Sequence, residues 1–137
     1  MNIAKSIALA LTLALVALSA ACGGSSAASN DPNSPSNVSK RFVAAAQAKD
    51  VKTFKSMLAK KSVASMEKDA KEAGLPLDNM IASLLEQDLF PKGAGEIETR
   101  NEEINGDKAT VEIKGANDKW SQNELVKEDG NWKITLE

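Results

Sequence analysis

Partway along this chain the hydrophobic residues change their spacing, and that change restricts the fold more tightly than any other feature. Val38, Phe42, Ala45 and Ala46 lie on one face of a helix, as do Val51, Phe54, Met57 and Leu58 further on. After Pro91-Lys92-Gly93 the period becomes two: Ala109, Val111 and Ile113 alternate with polar residues, and so do Trp132, Ile134 and Leu136. A run of helices followed by an antiparallel meander predicts an α+β domain.

Local chemistry divides the helical half into four segments. Pro35-Ser36-Asn37 offers a helix start with Ser36 or Asn37 as its cap, and Asp50 caps a second helix. Ser62 is expected to cap a third, with Val63, Met66, Ala70 and Ala73 inward and Gly74 at its end. Asp78 is expected to cap a fourth, carrying Met80, Ile81, Leu84, Leu85 and Leu89.

In the strand half, the opposed parity of Ile97 and Ile104 predicts a bulge or a register change between Glu96 and Ile104. Asn105-Gly106 predicts a type I′ hairpin turn with both residues at positive φ. Strands are expected over Lys108–Lys114, Trp120–Lys127 and Asn131–Leu136, with turns at Gly115-Ala116-Asn117-Asp118 and Asp129-Gly130.

The N-terminus has a different character. From Ile7 to Ala21 every residue is apolar except Thr12 and Ser19, and Lys5 precedes the run. Fifteen residues fall short of the ~20 a membrane-spanning helix needs. A short apolar run ending in small residues reads as a secretory signal. The segment Leu18-Ser19-Ala20-Ala21-Cys22 resembles the lipobox of bacterial lipoproteins, with Ser19 where that family usually has Leu. The resemblance implies cleavage between Ala21 and Cys22, then a lipid anchor on Cys22 with palmitate-type acyl chains. It also implies location in the cell envelope, and Gly23 after the cysteine favours the outer membrane, facing the periplasm, in a Gram-negative cell. The alternatives are an ordinary signal peptide that leaves a free thiol and a short transmembrane anchor, the latter disfavoured because no basic stop-transfer sequence follows Cys22. Residues 22–37, rich in Gly, Ser, Ala, Asn and Pro, read as a flexible tether, and the domain is expected over 38–137.

Two stretches suggest a family for that domain. They are Ser34-Pro35-Ser36-Asn37-Val38 with Phe42 and Ala45-Ala46-Gln47-Ala48-Lys49-Asp50, and the ending Glu124-Leu125-Val126-Lys127-Glu128-Asp129-Gly130-Asn131-Trp132-Lys133-Ile134. They resemble the small bacterial lipoprotein domains of the nuclear-transport-factor-like, or cystatin-like, superfamily, in particular its lumazine-binding-like domains of unknown function. The resemblance implies N-terminal helices packed in the concave side of a curved antiparallel sheet, forming a cone.

Composition then excludes chemistry. The 137 residues contain no His, no Tyr and one Cys. A His-based triad, a zinc site with the usual ligands and an internal disulfide are therefore excluded. A formal charge of −2 argues against a nucleic-acid partner. Enzymes on this cone fold, such as ketosteroid isomerases, pair an Asp base with a Tyr donor, and this chain lacks the Tyr. Glu102-Glu103 read as solvated, since strand neighbours point to opposite faces. No catalytic residue, metal ligand or cofactor is assigned.

Charge is unevenly spread. Lys40, Arg41, Lys49, Lys52, Lys55, Lys60 and Lys61 face one acid, Asp50, in the same stretch. The cluster reads as the solvated face of amphipathic helices, or as a surface that meets anionic lipid or polymer. Trp120 and Trp132 read first as core and second as pocket walls. Phe42, Phe54, Val111, Ile113, Trp132 and Ile134 are expected to share one lining, of core or of pocket. The functional expectation is a non-enzymatic, membrane-anchored domain for a small apolar ligand or an envelope protein. The alternative is a small isomerase- or hydrolase-like enzyme using a pocket carboxylate.

Overall fold

The computed structural model describes residues 30–87, 89–90, 96–115 and 118–136. Four helices precede four strands: α1 (Pro35–Gln47), α2 (Val51–Ser56), α3 (Lys60–Glu72), α4 (Leu77–Leu85), β1 (Thr99–Asn105), β2 (Lys108–Lys114), β3 (Trp120–Glu128) and β4 (Asn131–Thr135). The strands form one antiparallel sheet in the order β1-β2-β3-β4. The fold is α+β, with helices packed on one face of the sheet. Cys22, Ala21 and the apolar run before them lie outside the described residues, as do Pro91-Lys92-Gly93 and Ala116-Asn117.

The core follows from the two periods. Ala109, Val111 and Ile113 of β2, Leu125 of β3 and Ile134 of β4 share one sheet face and are buried. Val38, Phe42, Val43, Ala45 and Ala46 of α1, Phe54 of α2, and Ile81 and Leu85 of α4 close over them. Phe42 and Phe54 stack with ring centroids 4.4 Å apart, and Phe90 meets both edge-on at 6.1 and 5.8 Å. Val63 and Met66 are half-buried against this cluster. Ala73, expected inward, is exposed, because α3 ends at Glu72 and Ala73 is already its C-cap.

The sheet's two edges are protected differently. Beside β4, Leu58 forms a parallel bridge to Ile134. Ala59 N–H donates to the Ile134 carbonyl and Ile134 N–H to the Met57 carbonyl, both at 2.8 Å. The chain between α2 and α3 thus covers that edge. On β1 the register shifts between Arg100 and Glu103, with Asn101 at φ +50°. Such a bulge and the flanking charges make a poor template for pairing with another chain.

Several local expectations are corrected. The folded domain begins before Val38: Ser34 caps α1, its hydroxyl accepting from Asn37 N–H at 3.3 Å, and Pro35 is the first helical residue. Proline suits that position because its missing N–H would have had no partner in the helix. α3 starts two residues before Ser62, because Glu128 accepts from Lys60 N–H at 3.1 and 3.2 Å and supplies the cap from the sheet. Ser62 instead clamps the chain end: its hydroxyl accepts from Leu136 N–H (2.9 Å) and donates to the Leu136 carbonyl (3.2 Å). The Leu136 side chain, expected inward, is exposed because β4 ends at Thr135. Asp78 lies in the first turn of α4, behind an N-cap at Pro76, where it pairs with Lys55. α4 stops at Leu85, so Leu89 loses its place over that residue and is 61% exposed.

The first hairpin turn is also different. Asn105 pairs with Lys108, so the turn is Gly106-Asp107, and only Gly106 has positive φ (+61°). Positive φ at the first central residue alone is the type II′ pattern. The type I′ pattern occurs at Asp129-Gly130, with φ of +51° and +81°.

Candidate functional site

Of the open clefts along the sheet, two combine aliphatic or aromatic side chains with charged ones among the described residues. The larger, about 530 Å³, lies mainly on the sheet face turned away from α1. Lys108 and Thr110 of β2, Glu124, Val126 and Glu128 of β3 and Thr135 of β4 line it, and Ala59 and Lys61 wall it where the chain enters α3. Strand alternation puts Thr110, Glu124, Val126 and Thr135 here, since their neighbours Ala109, Leu125 and Ile134 point to the core. Its apolar part is Val126, Ala59 and the threonine methyls. Lys61, Lys108, Glu124 and Glu128 place both charge signs around them. Its volume falls within the ~300–1,000 Å³ of small-molecule pockets.

The second cleft, about 310 Å³, lies where the chain enters α1. Val38, Met57 and Trp132 supply its apolar surface, Arg41 and Lys133 its charge, and Asn33, Thr53, Ser56 and Asn131 its remaining polar groups. Lys133 Nζ donates to the Ser56 carbonyl at 2.7 Å, and Lys127 Nζ lies 5.5 Å from the Trp132 ring centroid.

The six residues expected to share a lining are placed as follows. Phe42, Phe54, Val111, Ile113 and Ile134 are buried in one cluster. Trp132 is half-buried, with part of its ring against that cluster and part in the second cleft. Trp120 is not a core residue: it pairs with Lys114 on the opposite face, and the Arg100 guanidinium lies 4.0 Å from its ring centroid. Glu102 is not simply solvated. It is half-buried and accepts from Ser36 N–H at 2.7 Å, whereas Glu103 is exposed. The basic cluster is partly neutralised, with Lys49 paired to Glu86, Lys55 to Asp78 and Lys60 to Asp129. Arg41 has no ion-pair partner among the described residues.

The clefts were not legible as sites in the sequence. Their residues come from α1 and the residues before it, α2, the α2–α3 connection, the start of α3 and three strands, and only the sheet register brings Lys108, Glu124 and Thr135 together.

The carboxylates with perturbed acidity are held down rather than raised. Asp50 is lowered by its bonds to Thr53, Glu112 by Arg100, and Asp129 by Lys60. A general acid or base working near neutrality needs a displacement in the opposite direction. Among the described residues no group of three or more His, Cys, Asp or Glu could hold a metal ion. Nor is any described helix long and apolar enough to cross a membrane.

No family model matches the chain, and no curated protein does. Among solved structures the chain is similar to a Campylobacter jejuni protein described as a "Putative NTF2-like transpeptidase". The identity is 19% and the TM-score 0.49, over 75% of this chain and 98% of that one. At that level the likeness carries no inference about activity.

Proposed function

We propose that this protein is a non-enzymatic, lipid-anchored binding domain of the bacterial cell envelope. The larger cleft would hold a small ligand with an apolar body and polar ends. The observation that carries the reading is that cleft's composition: Val126, Ala59 and two threonines between charges of both signs. The apolar centre gives affinity by excluding water, and the rim charges fix orientation. Anchoring rests on Leu18-Ser19-Ala20-Ala21-Cys22, and two acyl chains suffice for stable attachment where one does not.

Native mass spectrometry of the purified mature protein tests the ligand. A bound small molecule is expected on the wild type and not on a folded Val126→Trp variant, whose indole fills the cleft. Its absence from the wild type, or its persistence in the variant, refutes the site. Metabolic labelling with a fatty-acid analogue tests the anchor, with the label expected on the wild type and lost in Cys22→Ser.

A further inference from the structure

We infer that the smaller cleft docks the domain onto an anionic lipid surface, seating lipid phosphates between Arg41 and Lys133 with Trp132 at the interface. The inference rests on the lipid-anchor reading above but concerns a different site from the ligand cleft.

Three observations converge. First, the cleft is cationic: Arg41 and Lys133 line it, Lys127 lies over Trp132, and no carboxylate is among the described residues that line it. The acids close in sequence are already engaged. Asp129 is paired with Lys60, Glu128 caps Lys60 N–H, Asp50 accepts from Thr53 N–H and Asp31 from Asn33 N–H. Lys49, Lys55 and Lys60 spend their charge within the domain, whereas Arg41, on the same basic stretch, has no ion-pair partner among the described residues.

Second, the cleft pairs that charge with an amphipathic apolar surface. A half-buried Trp132 beside Val38 and Met57 suits the boundary between headgroup and acyl chain, where tryptophan is favoured. Basic residues close to an anionic surface are drawn to it, and the attraction falls off within a Debye length.

Third, the cleft lies at the point where the chain comes from Cys22. Asn33 is one of its lining residues, and eleven positions separate it from Cys22. A Gly/Ser-rich chain of that length spans on the order of 20 Å. An anchor at Cys22 would therefore hold this end of the domain within reach of the headgroups. The effective concentration of the surface would be high enough for a weak cleft to be occupied.

The test uses the mature acylated protein carrying Trp120→Phe, so that Trp132 alone fluoresces, on vesicles containing lipids brominated near the headgroup. Flotation reports the anchor, and quenching of Trp132 reports docking. Quenching is expected to be several-fold stronger when about one third of the lipid is phosphatidylglycerol than in neutral phosphatidylcholine. It should fall to the neutral level in Arg41→Gln/Lys133→Gln with an unchanged circular dichroism spectrum, while Lys68→Gln, on α3 and in neither cleft, retains it. Protein that floats with equal quenching on both lipids overturns docking and leaves the anchor standing. Quenching that survives the double variant, or an equal emission change with soluble glycerol phosphate alone, also overturns it. Protein that does not float overturns the anchor and the docking together.

Discussion

The Ser36 backbone N–H donates to Glu102 Oε2 at 2.7 Å, so a carboxylate on β1 caps the helix that opens the domain. The two residues are 66 positions apart. A negative group at a helix N-terminus satisfies an otherwise unpartnered N–H and meets the positive end of the helix dipole. At the other side of the sheet, Glu128 does the same for Lys60. Glu102→Ala is expected to destabilise the domain by about 1–2 kcal/mol. Glu103→Ala, on an exposed neighbour, should change stability by no more than about 0.5 kcal/mol. Urea unfolding midpoints of the two variants check the pair, and equal losses would remove Glu102 from its capping role.

The first hairpin depends on Gly106 rather than Asn105. Gly106 has φ +61°, and a Cβ there would meet only open space, so backbone strain alone opposes substitution. Gly106→Val is expected to cost about 1–2 kcal/mol, because a β-branched residue tolerates that region poorly. Asn105→Ala should be nearly neutral. Thermal melts distinguish this turn from one in which both Asn105 and Gly106 need positive φ, where both variants would be destabilised.

Ser39 is fully buried in α1, and its hydroxyl has no hydrogen-bond partner among the described residues. An unsatisfied buried hydroxyl loses its water without compensation, and serine is a weaker helix former than alanine. Ser39→Ala is therefore expected to stabilise the domain by about 1 kcal/mol. Chemical denaturation should show a higher midpoint at unchanged slope. A lower midpoint would mean that the hydroxyl is bonded in solution.

Acid and alkali should act through different exposed pairs. Asp50, Glu112 and Asp129 have folded-state acidities shifted below their ordinary values of 3.8, 4.5 and 3.8. Their contribution is present above those values and is lost as pH falls through the lower folded ones. Lys60 and Lys114 are raised above 10.5 by Asp129 and by Glu98. Their contribution is present below 10.5 and is lost as pH rises through the higher folded values. Melting temperature should thus be flat near neutrality and fall below about pH 4 and in strong alkali. Glu112→Gln should flatten the acid limb, and an unchanged limb would count against the Arg100–Glu112 pair.

The sequence by itself determined the periods of the elements, and through them the α+β class and most of the core. Phe42, Phe54, Val111 and Ile134 could be placed inward because a 3.6-residue or two-residue repeat is a local property. The bulge in β1 was legible from the parity of Ile97 and Ile104 for the same reason. Caps and clefts were decided by tertiary structure. Ser62 and Asp78 have the right chemistry for helix caps, but Glu128 reaches Lys60 from across the fold and Pro76 opens α4, so neither residue is needed as one. Trp120 and Trp132 look equivalent along the chain. Only the pairing of β3 with its neighbours turns Trp120 toward Arg100 on the outer face and Trp132 toward Arg41 and Met57. Contacts between residues dozens of positions apart leave no local periodicity, and both candidate clefts are made of such contacts.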